Sequence, residues 1–379
     1  MHKRIYHLTH TDVSKDSRIL KELICLSKEF PSAGIYAMGV ESHVGPDNFD
    51  IPTSVTVRSL RSLPRWITPR ILRHFLIFCK LFICMLIELF RARPAIVHCH
   101  DTLVLPIGVV YKLFFKCRLI YDAHELESQK NGQTWLLSKI TYFFEWTAWR
   151  YVDLLITVSN SINEFYQCEF GKKKAVVIFN SPLLRMNSNS STSVDVRTEF
   201  NFLSDDKIYV YLGILSQGRG IEIALAAFEK LELNNKVVFV GWGPLENTIQ
   251  SSSRFGQNIF LRSAVDHDLV SSYVSTADFG LCMLEPISQS DYYALPNKLF
   301  EYAFANLPIL ASDFPDIKAI IERHKLGECF APTIEGLIEK VKHLETTDFD
   351  LNQLDLADLS WQKQEDLLTL HYTDLGMNK

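Results

Sequence analysis

The pattern that most restricts the fold of this chain is an alternation of short apolar runs with longer stretches of helical spacing, broken once and then resumed. In the first half, strand candidates lie at Arg4–Thr9, Gly34–Val40, Ala95–His98, Arg118–Ala123, Leu154–Val158 and Ala175–Phe179. Between them run helical stretches: Ser17–Phe30, with Ile19, Leu20, Leu23, Ile24 and Leu26 in register, then Leu103–Phe115 and Trp135–Tyr151. Strand, helix, strand at this spacing predicts a parallel sheet covered on both faces. Ser181–Ser193 is rich in Ser and Asn, contains Pro182 and reads as a linker. The alternation then restarts, with strands Ile208–Leu212, Val237–Val240, Phe279–Met283 and Ile309–Ser312 and helices Ile221–Leu231, Asp266–Thr276 and Asn297–Asn306. The expected fold class is α/β, with two doubly wound Rossmann-like domains facing a cleft. Ligands in such sheets bind beyond the carboxyl ends of the strands. The boundaries read as 1–180, a linker 181–206, a second domain 207–355 and a C-terminal segment 356–379.

A length of 379 residues suits two or three domains. Apolar residues make up 47% and charged residues 22%, which excludes a disordered, collagen-like or coiled-coil chain. The net charge of −5 excludes a general nucleic-acid binder. The 8 Cys form no CxxC pair, and most sit in apolar runs as small buried hydrophobes. The opening MHKRIYHLTHTD has no long apolar run, which reads as no signal peptide and a cytoplasmic chain.

Ile71–Phe90 departs from the pattern. It is almost wholly apolar, interrupted by Arg73, His74, Lys80 and Glu88, and its length fits a membrane span. Lys80 near the centre and the strand that resumes at Ala95 disfavour a span. Arg58, Arg61, Arg65, Trp66 and Arg70 upstream, with Arg91 and Arg93 downstream, favour a helix lying in a membrane interface. A buried core helix with cationic ends is the plain alternative.

Candidate chemistry gathers at strand ends. Asp16 is a plausible N-cap for the first helix. Arg18 in its first turn opposes the helix dipole, which suggests an anionic partner; a solvated Arg, or one paired with Asp16, is the alternative. His98, His100 and Asp101 end one strand, and Tyr121-Asp122-Ala123-His124-Glu125 ends the next. Two neighbouring strands ending in His and carboxylate mark a functional edge, with His124 and Glu125 as the catalytic candidates. The spacing alone does not make a metal site, so none is expected. In the second half, LGILSQGRG (Leu212–Gly220) is a Gly-rich turn with Arg219 leading into a helix. That suits a phosphate but is no Walker loop. Gly241 and Gly243 form a second Gly turn. Leu295-Pro296-Asn297 opens a helix with Asn297 as its expected N-cap, Lys298 in the first turn and Glu301 one turn on. A cation, free N–H groups and a carboxylate together suit a nucleoside diphosphate; an ordinary helix with a solvated Lys–Glu pair is the alternative.

On these segments (IVHCHD, LIYDAHE, LLITVSNSI, ALPNKLFEYAFANLPILASD and LSWQ) the sequence resembles glycosyltransferase family 4, the retaining GT-B enzymes, over nearly its whole length. The resemblance implies a sugar-nucleotide donor in the C-terminal domain, an acceptor on the N-terminal domain, and no metal or cofactor beyond the nucleotide-diphosphate sugar as co-substrate. It also implies retention of anomeric configuration by front-side displacement, in which the donor phosphate helps deprotonate the acceptor. Carried over, Glu301 would hold the ribose, and Arg219, with Lys298 and the Leu295–Asn297 turn, the diphosphate. Gly241 and Gly243 would lie near the nucleotide, and His124 would contact the donor sugar. His100 and Asp101, with Asp16 and Arg18, would line the acceptor side. Asp358–Leu375 would cross back to the first domain with Trp361 as its packing anchor. Two positions depart from the family pattern: Tyr293 stands where its first motif Glu belongs, with Asp291 or Glu285 as substitutes, and Ile214 stands where an Arg is usual. The expected function is transfer to a membrane-associated, lipid-linked saccharide in surface polysaccharide synthesis, with the Ile71–Phe90 helix docked at the inner face of the cytoplasmic membrane. The rival readings are a non-catalytic sugar-nucleotide-binding subunit and a sugar-nucleotide epimerase or hydrolase.

Overall fold

Asp16 shows how the alternation becomes structure. Its carboxylate accepts from the backbone N–H groups of Arg18 and Ile19 and starts helix α1 (Ser17–Glu29), which links β1 (Arg4–Leu8) to β2 (Gly34–Val40). The computed structural model describes residues 3–41, 51–61, 70–182, 195–265, 269–344, 349 and 355–378. Arg65, Trp66, most of the Ser- and Asn-rich stretch and the start of the Asp266–Thr276 helix candidate lie outside them. The chain divides into two compact units, Met1–Phe179 with Gln364–Lys379, and Asn180–Lys363.

The first unit continues through β3 (Val55–Leu60), α2 (Arg70–Ala92), β4 (Ile96–His100), α3 (Leu105–Phe114), β5 (Arg118–Ala123), α4 (Trp135–Trp149), β6 (Leu154–Thr157), α5 (Asn160–Phe170) and β7 (Ala175–Val177). Its seven strands are parallel in the order β3-β2-β1-β4-β5-β6-β7. The chain leaves β1 toward one edge and returns at β4 to build the other, so the strand order reverses between β1 and β4. Right-handed crossovers then put α1 on one face and α2 to α5 on the other. β4 and β6 are buried at every residue, as a sheet covered on both faces requires.

The second unit runs through α6 (Val196–Glu199), β8 (Lys207–Leu212), α7 (Ile221–Phe228), β9 (Asn235–Val240), α8 (Glu246–Gln250), β10 (Ile259–Arg262), α9 (Val270–Val274) and β11 (Phe279–Cys282). It ends with α10 (Gln289–Tyr292), α11 (Asn297–Phe304), β12 (Ile309–Ser312), α12 (Pro315–His324), β13 (Gly327–Phe330) and α13 (Ile334–Leu344). Its order is β10-β9-β8-β11-β12-β13, with the reversal between β8 and β11. The last helix, α14 (Trp361–Asp374), begins in this unit, where Trp361 is fully buried; from Gln364 onward it belongs to the first unit. There it packs on α1, with the Cys25 thiol 3.7 Å from the Thr369 hydroxyl. The two-sheet α/β fold class read from the sequence is the observed one. The strands it missed, β3, β10 and β13, all lie at sheet edges.

The apolar segment forms α2, and no helix among the described residues is long and apolar enough to cross a membrane. Nor is α2 a wholly buried core helix. Leu81, Met85 and Leu89, one every fourth residue, are buried, while Phe75, Ile83 and Ile87 are exposed. Two of its charges turn back to the unit. The Lys80 ammonium donates to the Arg61 carbonyl at 2.7 Å, and Glu88 meets Arg58 at 2.7 Å and accepts from the Tyr6 hydroxyl at 3.1 Å.

The core of the second unit is least forgiving at Gly280. A Cβ there would sit 2.5 Å from the Tyr302 ring. That ring cannot retreat, because its hydroxyl accepts from Leu212 N at 2.8 Å and donates to the Val210 carbonyl at 3.0 Å. Gly280→Ala is expected to cost about 1–3 kcal/mol by overpacking, read as a lower urea midpoint at unchanged slope. A midpoint within error of wild type would refute this account.

Candidate functional site

Each unit places its chemistry where its strand order reverses, beyond the carboxyl ends of the strands.

In the first unit, β1 and β4 pair with His7 beside His98, and β4 and β5 pair with His100 beside Asp122. Period-2 alternation sends these side chains to the face covered by α1 and α14. There Arg18 corrects the sequence reading. It is 2% exposed and forks onto Asp122, Nε to Oδ2 at 3.1 Å and Nη2 to Oδ1 at 3.0 Å. Its Nη1 donates to the Ile178 carbonyl at 2.8 Å, and Glu22 lies 3.4 Å away. The anionic partner that its position called for is internal, so Arg18 is neither solvated, nor paired with Asp16, nor open to an acceptor. Asp16 itself is spent on capping α1.

His124 bridges this buried charge and the surface. Its Nε2 lies 3.3 Å from Asp122 Oδ2 and 3.1 Å from His100 Nδ1, and its Nδ1 lies 3.9 Å from Asp101. Burial works against charging the ring, but Asp101 and Asp122 outweigh it and push His124 up to about 10. Burial would raise Asp122, but Arg18 and His124 hold it well below the usual carboxylate range. Burial keeps His7 and His100 below the ordinary histidine value and takes His98 to about 3, so these three rings are neutral. They are linked end to end. His124 Nε2 lies 3.1 Å from His100 Nδ1, His100 Nε2 2.9 Å from His7 Nδ1, His7 Nε2 3.4 Å from the Tyr372 hydroxyl, and that hydroxyl 2.8 Å from His98 Nδ1. A neutral buried chain thus backs one charged ring at the strand edge.

Asp101, in a left-handed conformation (φ 69°), caps the edge and lies 3.6 Å from His10. Glu125, a sequence candidate, points outward: its side chain is 58% exposed and its carboxylate is 3.7 Å from Lys130. The buried acid nearby is Glu127, 2.6 Å from Lys130. Sequence reasoning missed Glu127, Glu22, His7 and Tyr372, and named His98 and Asp122 only as members of the strand-end clusters. The available signal was Glu22 one turn after Arg18. Two groups, His7/Glu22/His98/His100 and His100/Asp122/His124, bring potential ligand atoms within 4.8 Å of one another. The Arg18 guanidinium lies against one carboxylate of each group, Glu22 at 3.4 Å and Asp122 through its fork.

In the second unit the loops after β8 and β9 interlock. A Cβ on Gly241 would lie 1.9 Å from the Gly213 carbonyl, and one on Gly243 2.4 Å from that of Leu215. The room these glycines leave is thus taken by neighbouring backbone. Ile214 and Trp242 stand exposed on the two loops. The N-terminus of α7 is partly occupied, since Gly220 N donates to Glu285 at 3.2 Å. Asp291 accepts from the Ser288 hydroxyl at 2.8 Å, so both acids considered as substitutes at Tyr293 have local roles.

Helix α11 is different. Its N-cap is Pro296, not Asn297, and no side chain caps it; Leu295 behind it is buried. Lys298 in its first turn is 8% exposed and its ammonium has no hydrogen-bond partner. The ammonium sits 3.5 Å from the centre of the Tyr211 ring. Burial lowers its pKa to about 7; nearby Arg219 adds to that, while Cys282 and Glu301 act against it. An uncapped helix start, a buried unpaired ammonium and a second cation, with Glu301 one turn on, make a receptor for an anion.

Known proteins share stretches of this sequence and its fold. Residues 206–346 match the family model described as glycosyl transferases group 1, and residues 25–181 that of glycosyltransferase family 4. Over 192 residues, 51% of this chain and 46% of the relative, the sequence is 24% identical to a putative teichuronic acid biosynthesis glycosyltransferase of Bacillus subtilis. Over 283 residues, 63% of this chain and 61% of the relative, it is 24% identical to the chitobiosyldiphosphodolichol beta-mannosyltransferase of Kluyveromyces lactis. The matches therefore span about half to three-fifths of these relatives. Anabaena HepE, solved with UDP-glucose, superposes with a TM-score of 0.70 at 12% identity, covering 98% of this chain and 100% of that one. The family models, relatives and fold support a glycosyltransferase of the GT-B class.

Two outcomes test the charged cluster. Arg18→Met leaves Asp122 buried without its fork and is expected to cost about 3–5 kcal/mol in urea unfolding. His124 binds its proton more tightly folded than unfolded. Its stabilisation is therefore whole below pH 6.5 and lost as pH rises toward about 10, with a slope of at most about 1.4 kcal/mol per pH unit. His124→Gln should make the slope of stability against pH more positive across that window; an unchanged slope would show that His124 is not the titrating group.

Proposed function

We propose that the chain is a retaining, metal-independent glycosyltransferase that moves a sugar from a nucleotide-diphosphate donor to a lipid-linked saccharide at the inner face of the cytoplasmic membrane. It would act in surface polysaccharide synthesis. The observation that carries the donor half is Lys298, a buried ammonium without a partner at an uncapped helix start. A diphosphate supplies the charge it lacks, with Arg219 as the second cation and Glu301 as acceptor for the ribose hydroxyls. No cofactor beyond the donor itself is called for. In the first unit, charged His124 offers an N–H to developing negative charge, while Asp101 and His100 shape the acceptor side. At neutral pH it acts as a donor and not as a general base. Relatives named for teichuronic acid synthesis and for a dolichol-linked substrate support a polyprenyl-type acceptor, and the exposed apolar face of α2 supports membrane contact.

The departures at Tyr293 and Ile214, with Glu285 and Asp291 committed locally, favour a second reading: a subunit that binds sugar nucleotides without turnover. His124→Ala separates the two. An enzyme loses transfer yet keeps donor binding, whereas a binding subunit has no transfer to lose. Conversion of the donor without acceptor would instead indicate an epimerase or hydrolase. Retention is read from the anomeric configuration of the product by NMR, and metal independence from activity in excess chelator.

The donor is found by screening UDP-, GDP-, ADP- and CMP-sugars for thermal stabilisation. One present at about 100 times its Kd should add about 2.7 kcal/mol to wild type and nothing to Glu301→Ala. Lys298 titrates near 7 when folded and 10.5 when unfolded, so its own contribution to unliganded stability should rise with pH between those values, read as wild type against Lys298→Met. An entering diphosphate should recharge it, with proton uptake near pH 8 in calorimetry. Lys298→Met should leave stability equal or higher and abolish both binding and uptake; binding that survives would refute this donor site.

A further inference from the structure

An unexplained apolar surface of the first unit lies on α4. Only Glu145, Ala148 and Trp149 of this helix are buried. Trp135 is 75% exposed, Phe143 56% and Trp146 59%, with Leu136 and Ile140 exposed between them. α3 packs between α2 and α4 in one layer, and its end adds Phe114 at 68% exposure. The exposed Ile83 and Ile87 of α2 lie in the same layer. An apolar surface spread over three helices exceeds what a soluble monomer normally leaves open.

The charges around this surface choose its partner. The one acid of α4, Glu145, is turned inward, where the hydroxyls of Tyr121, Tyr166 and Thr102 donate to it. Lys139 on α4 faces solvent, as do Arg91, Lys116 and Arg150 at the helix ends, although the chain as a whole carries −5. Tryptophan and phenylalanine ringed by cations suit the headgroup level of an anionic bilayer. The helix also begins beside the strand edge that bears His124: Ser138 Oγ donates to the Ser128 carbonyl at 2.6 Å, just beyond that edge.

We propose that the outer face of α4, continued by the end of α3 and the exposed side of α2, inserts into an anionic lipid surface, with α4 as the principal anchor. This names the element that holds the membrane contact proposed above, but it is tested without any sugar nucleotide. Failure of the transferase reading would therefore leave the result standing, and the reverse also holds.

The test is flotation of the full chain with vesicles of phosphatidylethanolamine and phosphatidylglycerol, and with phosphatidylcholine alone. Wild type should float with the first and less with the second. Replacing Trp135, Phe143 and Trp146 together by Ser should weaken binding by at least about tenfold, with unchanged circular dichroism and melting. Lys139→Glu should weaken it by about fivefold on anionic vesicles only. Wild-type tryptophan fluorescence should be quenched by brominated acyl chains, a readout that needs no variant. The proposal falls if wild type stays unbound, if the triple variant floats like wild type, or if Ile83→Ser with Ile87→Ser alone abolishes binding. It falls as well if lipid-free wild type self-associates and the triple variant is monomeric, which would make a second copy the occupant.

Discussion

The fork between Arg18 and Asp122 holds the first unit's site together. One fully buried carboxylate accepts the guanidinium, and its Oδ2 also faces His100 and His124 at 3.3 Å. Removing such a pair from water is costly, and the surroundings return that cost only by satisfying its remaining polar atoms. Here Asp16 caps the helix that carries Arg18, the Ile178 carbonyl takes a third guanidinium bond, and Tyr372 ties two of the three neutral rings. The arrangement leaves His124 the only charged histidine of the linked chain at neutral pH.

The two units treat the same local oddity in opposite ways. Arg18 and Lys298 each place a cation in the first turn of a helix, where the dipole disfavours it. Arg18 is answered by Asp122 and Glu22 inside the unit. Lys298 is answered by an aromatic ring and nothing anionic at bonding distance. The first solution is structural, and the second leaves a charge to be met from outside. Sequence position alone did not separate them.

What was legible followed from periodicity. Central strands, buried on both faces, read as unbroken apolar runs, and the alternation yielded the two-sheet fold. β3, β10 and β13 escaped because an edge strand is covered less and tolerates residues such as Arg58 or Glu328 within it. At the sites, the strand ends carrying His100, Asp101 and His124 were visible as clusters of one chemistry at one edge. The roles of Asp122, His7 and Tyr372 were not, since they depend on contacts between residues as far apart as 7 and 372. The outward turn of Glu125 and the choice of Pro296 as N-cap are decided by backbone geometry that spacing does not encode. α4 read as an ordinary helix because its apolar residues encircle it, which hides how few of them face the sheet.

The contact between Gly241 and the Gly213 carbonyl has a consequence for how this chain can diverge. Two loops that meet backbone to backbone are a matched pair. An insertion in one opens a gap or a clash unless the other changes with it, and no side chain can be gained at the point of contact. Variation in these loops is therefore channelled away from their length and into the exposed side chains they carry, Ile214 on one and Trp242 on the other. Descendants of this sequence would exchange those residues freely while the turn that presents them stays fixed.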